Sequence, residues 1–294
     1  MAVWRITMTE KQIQWFPGHM FKSLREIKEK VKLMDIVFIL LDARLPFSSM
    51  NPELHKIISH KPMMLLFNKM DLADDKITNT FIKHYQSEGY HTLKIDAASG
   101  KNVNKIKPFA ETILKEKLDR EKAKGLKPRA LRCMILGIPN VGKSTLINKL
   151  SKSSATKTAN TPGVTKTQQW IKLGDDFELL DTPGVLWPKF DDAKVGYHLA
   201  ITGAIKDKIL PEDDVVHYAL DYLQTHYPNR LDLRYGIRKD MDYLTMLQTI
   251  GTLRGCLLKG GEFDYPRIYQ IVLSDIRNHH LGGLSFDRPY DVSV

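Results

Sequence analysis

A chain of 294 residues can bury a substantial core and suits one large domain with one smaller one, and 43% hydrophobic with 27% charged residues is the composition of a soluble globular protein, which excludes a disordered or fibrous chain. Lys and Arg number 44 against 34 acidic residues, and this formal charge of +10 favours an anionic partner such as nucleic acid or an acidic surface, although a merely basic enzyme has the same balance. Two cysteines, Cys133 and Cys256, without a CxxC pair or a histidine cluster, argue against a metal centre and a disulfide-linked partner and for a reducing, cytoplasmic setting; the longest apolar runs are far too short to span a bilayer, so no membrane is expected.

In chain order, the first notable stretch is QWFPGHM (14–20), a tryptophan, a proline, a glycine and a lone histidine ahead of a basic segment with helical spacing. Met20, Leu24, Ile27 and Val31 fall on one face of that helix and Lys22, Arg25, Lys28, Lys30 and Lys32 on the others. Such a helix is either packed on a sheet with a solvated face or is a phosphate-contacting surface. Six short β-rich runs follow, at 36–41, 63–67, 92–95, 133–136, 169–173 and 177–180, most without polar alternation, as expected of strands covered on both faces of a parallel sheet. Residues 51–59, 76–88, 103–118 and 143–151 read as the intervening helices, and 115–129 as a charged helix end entering a linker. The pattern predicts a doubly wound α/β architecture.

Beyond residue 189 the character changes. Pro211 followed by Glu212, Asp213 and Asp214 is a helix start, with carboxylates at the positive end of the macrodipole. Val215, Val216, Ala219, Leu220 and Leu223 form its apolar face; Tyr243, Leu244, Leu247 and Ile250 predict a second helix, and Ile268, Ile271, Val272 and Ile276 a third. The expected division is 1–190, an α/β domain preceded by the basic helix, and 191–294, a small all-helical domain. Arg230, Arg234, Arg238, Lys239, Arg254, Lys259, Arg267 and Arg277, with Tyr222, Tyr227, Tyr235 and Tyr269, give the helical part the residue types that contact phosphates and stack on RNA bases.

The chemistry lies in the loops after the strands. GIPNVGKST (137–145) joins a strand to a helix and matches GxxxxGK[ST]. Asn140, Val141, Gly142, Lys143, Ser144 and Thr145 would then cradle phosphates, Lys143 supplying charge and Ser144 a hydroxyl for Mg²⁺. DTPG (181–184) follows another strand; Asp181 would hold Mg²⁺ directly or through water, and the Gly184 N–H would meet a γ-phosphate. NKMD (68–71) predicts guanine: the Asp71 carboxylate accepts from N1–H and the exocyclic amino group, a pair adenine cannot present. Asn68 would brace this loop, Lys69 would lie over the ring, and Met70 would sit between them and Asp71. In KIDAASG (94–100), Asp96 and Ala97 line the same pocket, the Ala97 N–H directed at the guanine carbonyl.

These motifs resemble those of Ras-like GTPases in an unusual order, the base motifs preceding the P-loop, NTPGVT and DTPG. A circular permutation accounts for this and makes the segment after DTPG run straight into the helical part. The permuted order, WFPGHM, DARLP (42–46), NKMD, GIPNVGKST, PGVT and DTPG together resemble the ribosome biogenesis GTPase A family over nearly the whole chain. The resemblance implies a circularly permuted P-loop GTPase domain with a mostly parallel six-stranded sheet. It also implies GTP as substrate and GDP as product, a cytoplasmic setting, and association with the large ribosomal subunit late in its assembly through a helical domain that contacts rRNA.

One part is missing. Where many GTPases carry a glutamine after DxxG to orient the attacking water, this chain has Val185. Three residues are candidates to make good the loss. Thr165 of PGVT is better suited to close over Mg²⁺; Asn140 resembles the asparagine that holds K⁺ in cation-stimulated GTPases; His19 would orient water as a neutral imidazole once a partner orders its turn. His19 is the expected catalytic residue. The preferred function is a ribosome-stimulated GTPase; the alternatives are a nucleotide-gated RNA-binding adaptor with negligible turnover and, less favoured by Asp71, a metabolic kinase.

Overall fold

The computed structural model describes residues 16–153, 169–190, 192–207 and 211–289. Helix α1 (Gly18–Lys30) and a 3₁₀ turn (Val31–Leu33) lead into β1 (Ile36–Asp42), and then α2 (Pro52–Ile58), β2 (Met63–Asn68), α3 (Asp75–Ser87) and β3 (His91–Lys94) alternate. After α4 (Ile106–Ile113) and α5 (Lys115–Ala123) the chain returns through β4 (Leu131–Gly137), α6 (Lys143–Ser153), β5 (Gln169–Lys172) and β6 (Phe177–Asp181). The six strands form one sheet in the order β3-β2-β1-β4-β6-β5, parallel except for β5, which runs antiparallel to β6. All seven residues of β1 are buried, the consequence of parallel neighbours on both sides and helices on both faces.

This order places the site. From β1 the chain winds outward through β2 to β3 and then crosses back to β4 on the other side of β1, so the winding reverses between β1 and β4. Loops leaving the carboxyl ends of strands on either side of such a reversal part to leave a crevice. Along this edge lie Asp42, Asn68, Gly137 and Asp181, the last residues of β1, β2, β4 and β6. Helix α1 is joined to β1 by one short turn, and His19 lies in its first turn.

Three expectations need correction. Residues 103–118 are a 3₁₀ turn (Val103–Lys105) followed by two helices and not one: Pro108, which has no N–H, fits the first turn of the helix that starts at Ile106, and the next helix starts after Leu114. Past Leu114 the apolar face ends, and α5 buries no residue. Leu244 is off the packed face of its helix: Met246, Leu247, Ile250 and Gly251 are buried, whereas Leu244 is exposed. Two helices were not anticipated, one of them buried without interruption from Val195 to Ile201 and therefore lacking an amphipathic period.

The C-terminal part comprises α7 (Ala193–Ile201), α8 (Glu212–His226), α9 (Pro228–Tyr235), α10 (Tyr243–Arg254) and α11 (Tyr265–Arg277), with α8 against all four others or their neighbours. Gly251 lets α10 approach closely, since a Cβ there would lie 2.6 Å from the Phe263 ring. The segment after α11 folds back onto the sheet domain: the Leu284 N–H donates to Leu72 O (3.0 Å) and the Phe286 N–H to Arg44 O (2.9 Å). Asp287 Oδ2 accepts the N–H groups of Phe47 and Ser48, each at 2.7 Å, while Asp287 Oδ1 also bonds Ser48 Oγ and lies 2.9 Å from His198 Nδ1 of α7.

Candidate functional site

The phosphate loop is held from below and from the side. A Cβ on Gly137 would lie 2.6 Å from Leu40 O, so only glycine lets β4 end this close to β1. Asn140 and Gly142 adopt φ of 57° and 103°, which turns the loop over before α6 starts at Lys143. Lys143 is buried and its ammonium donates to Gly137 O (3.1 Å) and Ile138 O (3.0 Å), curled within the loop it serves. Burial pulls its pKa down to about 8, and the charge of Asp181 opposes that shift. Ser144 is half-buried in the first turn of α6, Thr145 is exposed, and Val141 is buried beneath the loop.

DTPG lies directly on this loop. Asp181 ends β6 in register with Ile135 of β4 and is fully buried, and the Thr182 hydroxyl donates to Ile135 O (2.6 Å). A Cβ on Gly184 would fall 2.7 Å from the Pro139 Cα, so the two backbones touch. Val185 is buried, its N–H donating to Gly137 O (3.2 Å) and its carbonyl accepting from the Asn51 amide (3.0 Å). Asn51 also caps α2, accepting from Glu53 N and Leu54 N, so one side chain ties the segment after DTPG to that helix.

The base side converges through Asn68. Its Nδ2 donates to Val141 O (2.8 Å) and its Oδ1 accepts the Ala97 N–H (2.9 Å), joining NKMD, DAA and the phosphate loop. The brace expected of Asn68 is present, and the Ala97 N–H, expected to face the guanine carbonyl, is its second attachment point. Lys69, at φ 60°, sends its ammonium to Asn140 O (2.8 Å) and to the Asp42 carboxylate (3.0 Å). The Met70 N–H meets Ile95 O (3.3 Å), and Asp71 follows with its side chain exposed. Asp96 turns its carboxylate back to the Ala98 N–H (2.8 Å) and Ser99 N–H (3.3 Å), shaping the adjoining loop.

Of the remaining candidates, Asn140 directs its Nδ2 to Gly203 O (2.7 Å), in the turn after α7. Thr165 lies outside the described residues, as do Gln14 and Trp15. His19 is exposed in the first turn of α1, where its carbonyl accepts from Ser23 Oγ (3.0 Å) and where Pro17 and Gly18 begin the helix. Ser144 and Asp181 offer hydroxyl and carboxylate oxygens, the hard donors that suit Mg²⁺. Two contributors went unassigned in the sequence: Asn51, and Asp42 with Arg44, although the latter pair sits in the conspicuous DARLP.

The basic helical surface divides in two. Arg234 and Arg254 pair with Asp275, at 2.8 and 3.5 Å, and Arg277 with Asp207 at 2.8 Å, so these are internal ties. Tyr235 is buried, and Tyr222 and Tyr227 lie under the Arg288 guanidinium. Arg230, Arg238, Lys239, Lys259 and Arg267 are exposed. Among the described residues no helix is long and apolar enough to cross a membrane.

Comparison with known proteins agrees with this geometry. Residues 132–244 match the family model described as "50S ribosome-binding GTPase". "Ribosome biogenesis GTPase A" of Bacillus licheniformis is 50% identical over 281 residues, covering 95% of this chain and 99% of that protein; the protein of the same name from Bacillus pumilus is 51% identical over 278 residues, covering 94% and 99%. The GNP-bound YlqF from T. maritima superposes with a TM-score of 0.64 at 26% identity, over 91% of this chain and 98% of that one, and a GDP-bound YlqF structure superposes with a TM-score of 0.64 at 25% identity, over 91% and 100%. With a phosphate loop, DTPG and a guanine motif on one sheet edge and relatives of this identity along its length, the chain is a GTP-hydrolysing enzyme and belongs to the ribosome biogenesis GTPase A family.

Proposed function

We propose that this GTPase binds the large ribosomal subunit late in its maturation in the GTP form and leaves after hydrolysis that the subunit stimulates. The observation that carries this reading is Val185: apolar, buried, and bonded through both backbone groups where a water-orienting side chain would stand. A site built this way binds nucleotide but needs a group from elsewhere to position water, which makes turnover conditional on a partner.

In this scheme Asp71 reads the N1–H and amino group of guanine, the Lys69 stem covers the ring, and Asn68, Met70, Asp96 and Ala97 shape the pocket. Lys143 exchanges its carbonyl acceptors for β- and γ-phosphate oxygens, with the N–H groups of the phosphate loop from Asn140 to Thr145 around them. Ser144, Asp181 and Thr165 would hold Mg²⁺, which would supply charge to offset that of the phosphates. Asn140 would hold a K⁺, and the Gly184 N–H senses the γ-phosphate. His19 orients the attacking water when the subunit holds the N-terminal turn over the site. Residues 1–190 then form the switch and 191–294 the rRNA-contacting module, with Arg230, Arg238, Lys239, Lys259 and Arg267 facing phosphates.

The test is phosphate release with and without purified large subunits, paired with cosedimentation in a GTP analogue and in GDP. Stimulated release, with association in the analogue and not in GDP, is the expected result. Unstimulated turnover with intact nucleotide-dependent association would favour the adaptor reading. His19→Ala should retain GTP binding and lose the stimulation.

A further inference from the structure

Asp42 closes β1 beside the nucleotide crevice, and three groups converge on its buried carboxylate. Arg44 holds it in a fork, Nε to Oδ1 at 2.9 Å and Nη2 to Oδ2 at 2.7 Å, with the Arg44 N–H adding a bond to Oδ1 at 3.1 Å. Lys69 then places its ammonium 3.0 Å from Oδ2. A carboxylate in a bidentate fork is already neutralised, so the second cation, on a half-buried lysine, adds net positive charge beside a buried pair. That arrangement is costly as a stability device and so is better explained by what it does to the lysine.

The lysine is no bystander. Its ammonium also donates to Asn140 O at 2.8 Å, across the crevice from NKMD to the phosphate loop, and both Lys69 and Asn140 have left-handed backbones, φ 60° and 57°. Non-glycine residues hold that conformation only when their surroundings impose it. A four-carbon stem free to rotate would leave the base wall undefined; a stem fixed at both Asp42 and Asn140 is preorganised to cover a ring.

We propose that Asp42 is a positioning residue for the nucleotide site: clamped by Arg44, its carboxylate holds the Lys69 ammonium against the phosphate loop and thereby sets the wall on which guanine lies. This deepens the reading above, since it rests on Lys69 contacting the nucleotide. DARLP and NKMD then work as one unit, the first supplying the anchor and the second the arm.

The test is a double-mutant cycle on nucleotide affinity, measured by titrating a fluorescent GDP analogue into wild type, Asp42→Asn, Lys69→Met and the combined variant, with the KM for GTP as a second readout. Each single change is expected to weaken binding roughly tenfold, the combined variant to bind no worse than Lys69→Met, and KM to rise in step with the loss of affinity. Losses that multiply to about a hundredfold in the combined variant would overturn the positioning role and leave the nucleotide site as described. Wild-type affinity in Lys69→Met would instead overturn the assignment of Lys69 itself. Should Asp42→Asn lose the native fold because Arg44 is left buried without its partner, Asp42→Asn with Arg44→Met removes both charges and enters the cycle in its place.

Discussion

A carboxylate selects guanine only when the loop that carries it is fixed, and Asp71, proposed above to read the base, sits on a loop held in this way. Asn68 holds the loop at two points, Val141 O and the Ala97 N–H, leaving Asp71 exposed at its outer end. Asp71→Asn should cost GTP affinity on the order of a hundredfold, since two bonds to a charged acceptor are lost, and should improve binding of xanthosine triphosphate, whose 2-oxo group suits an amide donor; competitive titration of the two nucleotides checks both. Val185 supplies a second residue-scale prediction. Its slot is buried and apolar, so Val185→Gln should not raise basal hydrolysis and should lower stability by about 2 kcal/mol, because an amide enters without partners. Faster phosphate release by that variant would show that its side chain reaches water and that the valine merely deletes a catalytic group.

At the scale of elements, the sheet is tied to its flanking charged helix by one buried acid. Asp35, just before β1, accepts from both terminal nitrogens of Arg129 at 2.7 and 2.8 Å, from the Arg132 N–H at 2.8 Å, and from Lys117 of α5. Burial raises its pKa, and these donors overcome that and hold it well below the usual carboxylate range. A depressed folded pKa stabilises fully above the unfolded value and is lost as pH falls through the folded one. Asp35→Asn should therefore destabilise by about 2 kcal/mol at pH 7, with the difference from wild type shrinking below about pH 4, as read by urea denaturation at both pH values. The sequence made β1 and its neighbours plain because strands covered on both faces are apolar throughout, and helices such as α8 plain because one face alternates with solvent. The same logic hid α7, which is buried on every side and has no polar face to give it a period. The crevice motifs were readable because phosphate and guanine chemistry demands fixed residue types, whereas Asn51 and Asp42 act through partners distant in sequence, Val185 and Lys69, which no spacing rule connects.

At the scale of the whole molecule, the helical part is not simply appended to the sheet domain, because the last described segment returns and locks onto it. Asp287 is buried and satisfies two backbone N–H groups of the loop after β1 while engaging Ser48 and His198, and the other ring nitrogen of His198 lies 3.0 Å from Tyr218 of α8. One carboxylate thus joins the loop that carries Arg44 and Asn51 to two helices of the C-terminal part. Asp287→Ala would strand the two N–H groups and leave Ser48 Oγ and His198 Nδ1 only each other, 3.1 Å apart, so a loss of about 3–5 kcal/mol is expected, with Asp287→Asn, which keeps an acceptor, losing less. Because the same loop holds the Val185 carbonyl through Asn51, the alanine variant should also weaken nucleotide binding although the bonds of Asp287 go to Phe47, Ser48 and His198; denaturant titration with and without GDP measures both effects. A variant that loses stability but keeps full GDP affinity would separate the two functions, making the returning segment a staple for the helices and not a route by which they feel the nucleotide.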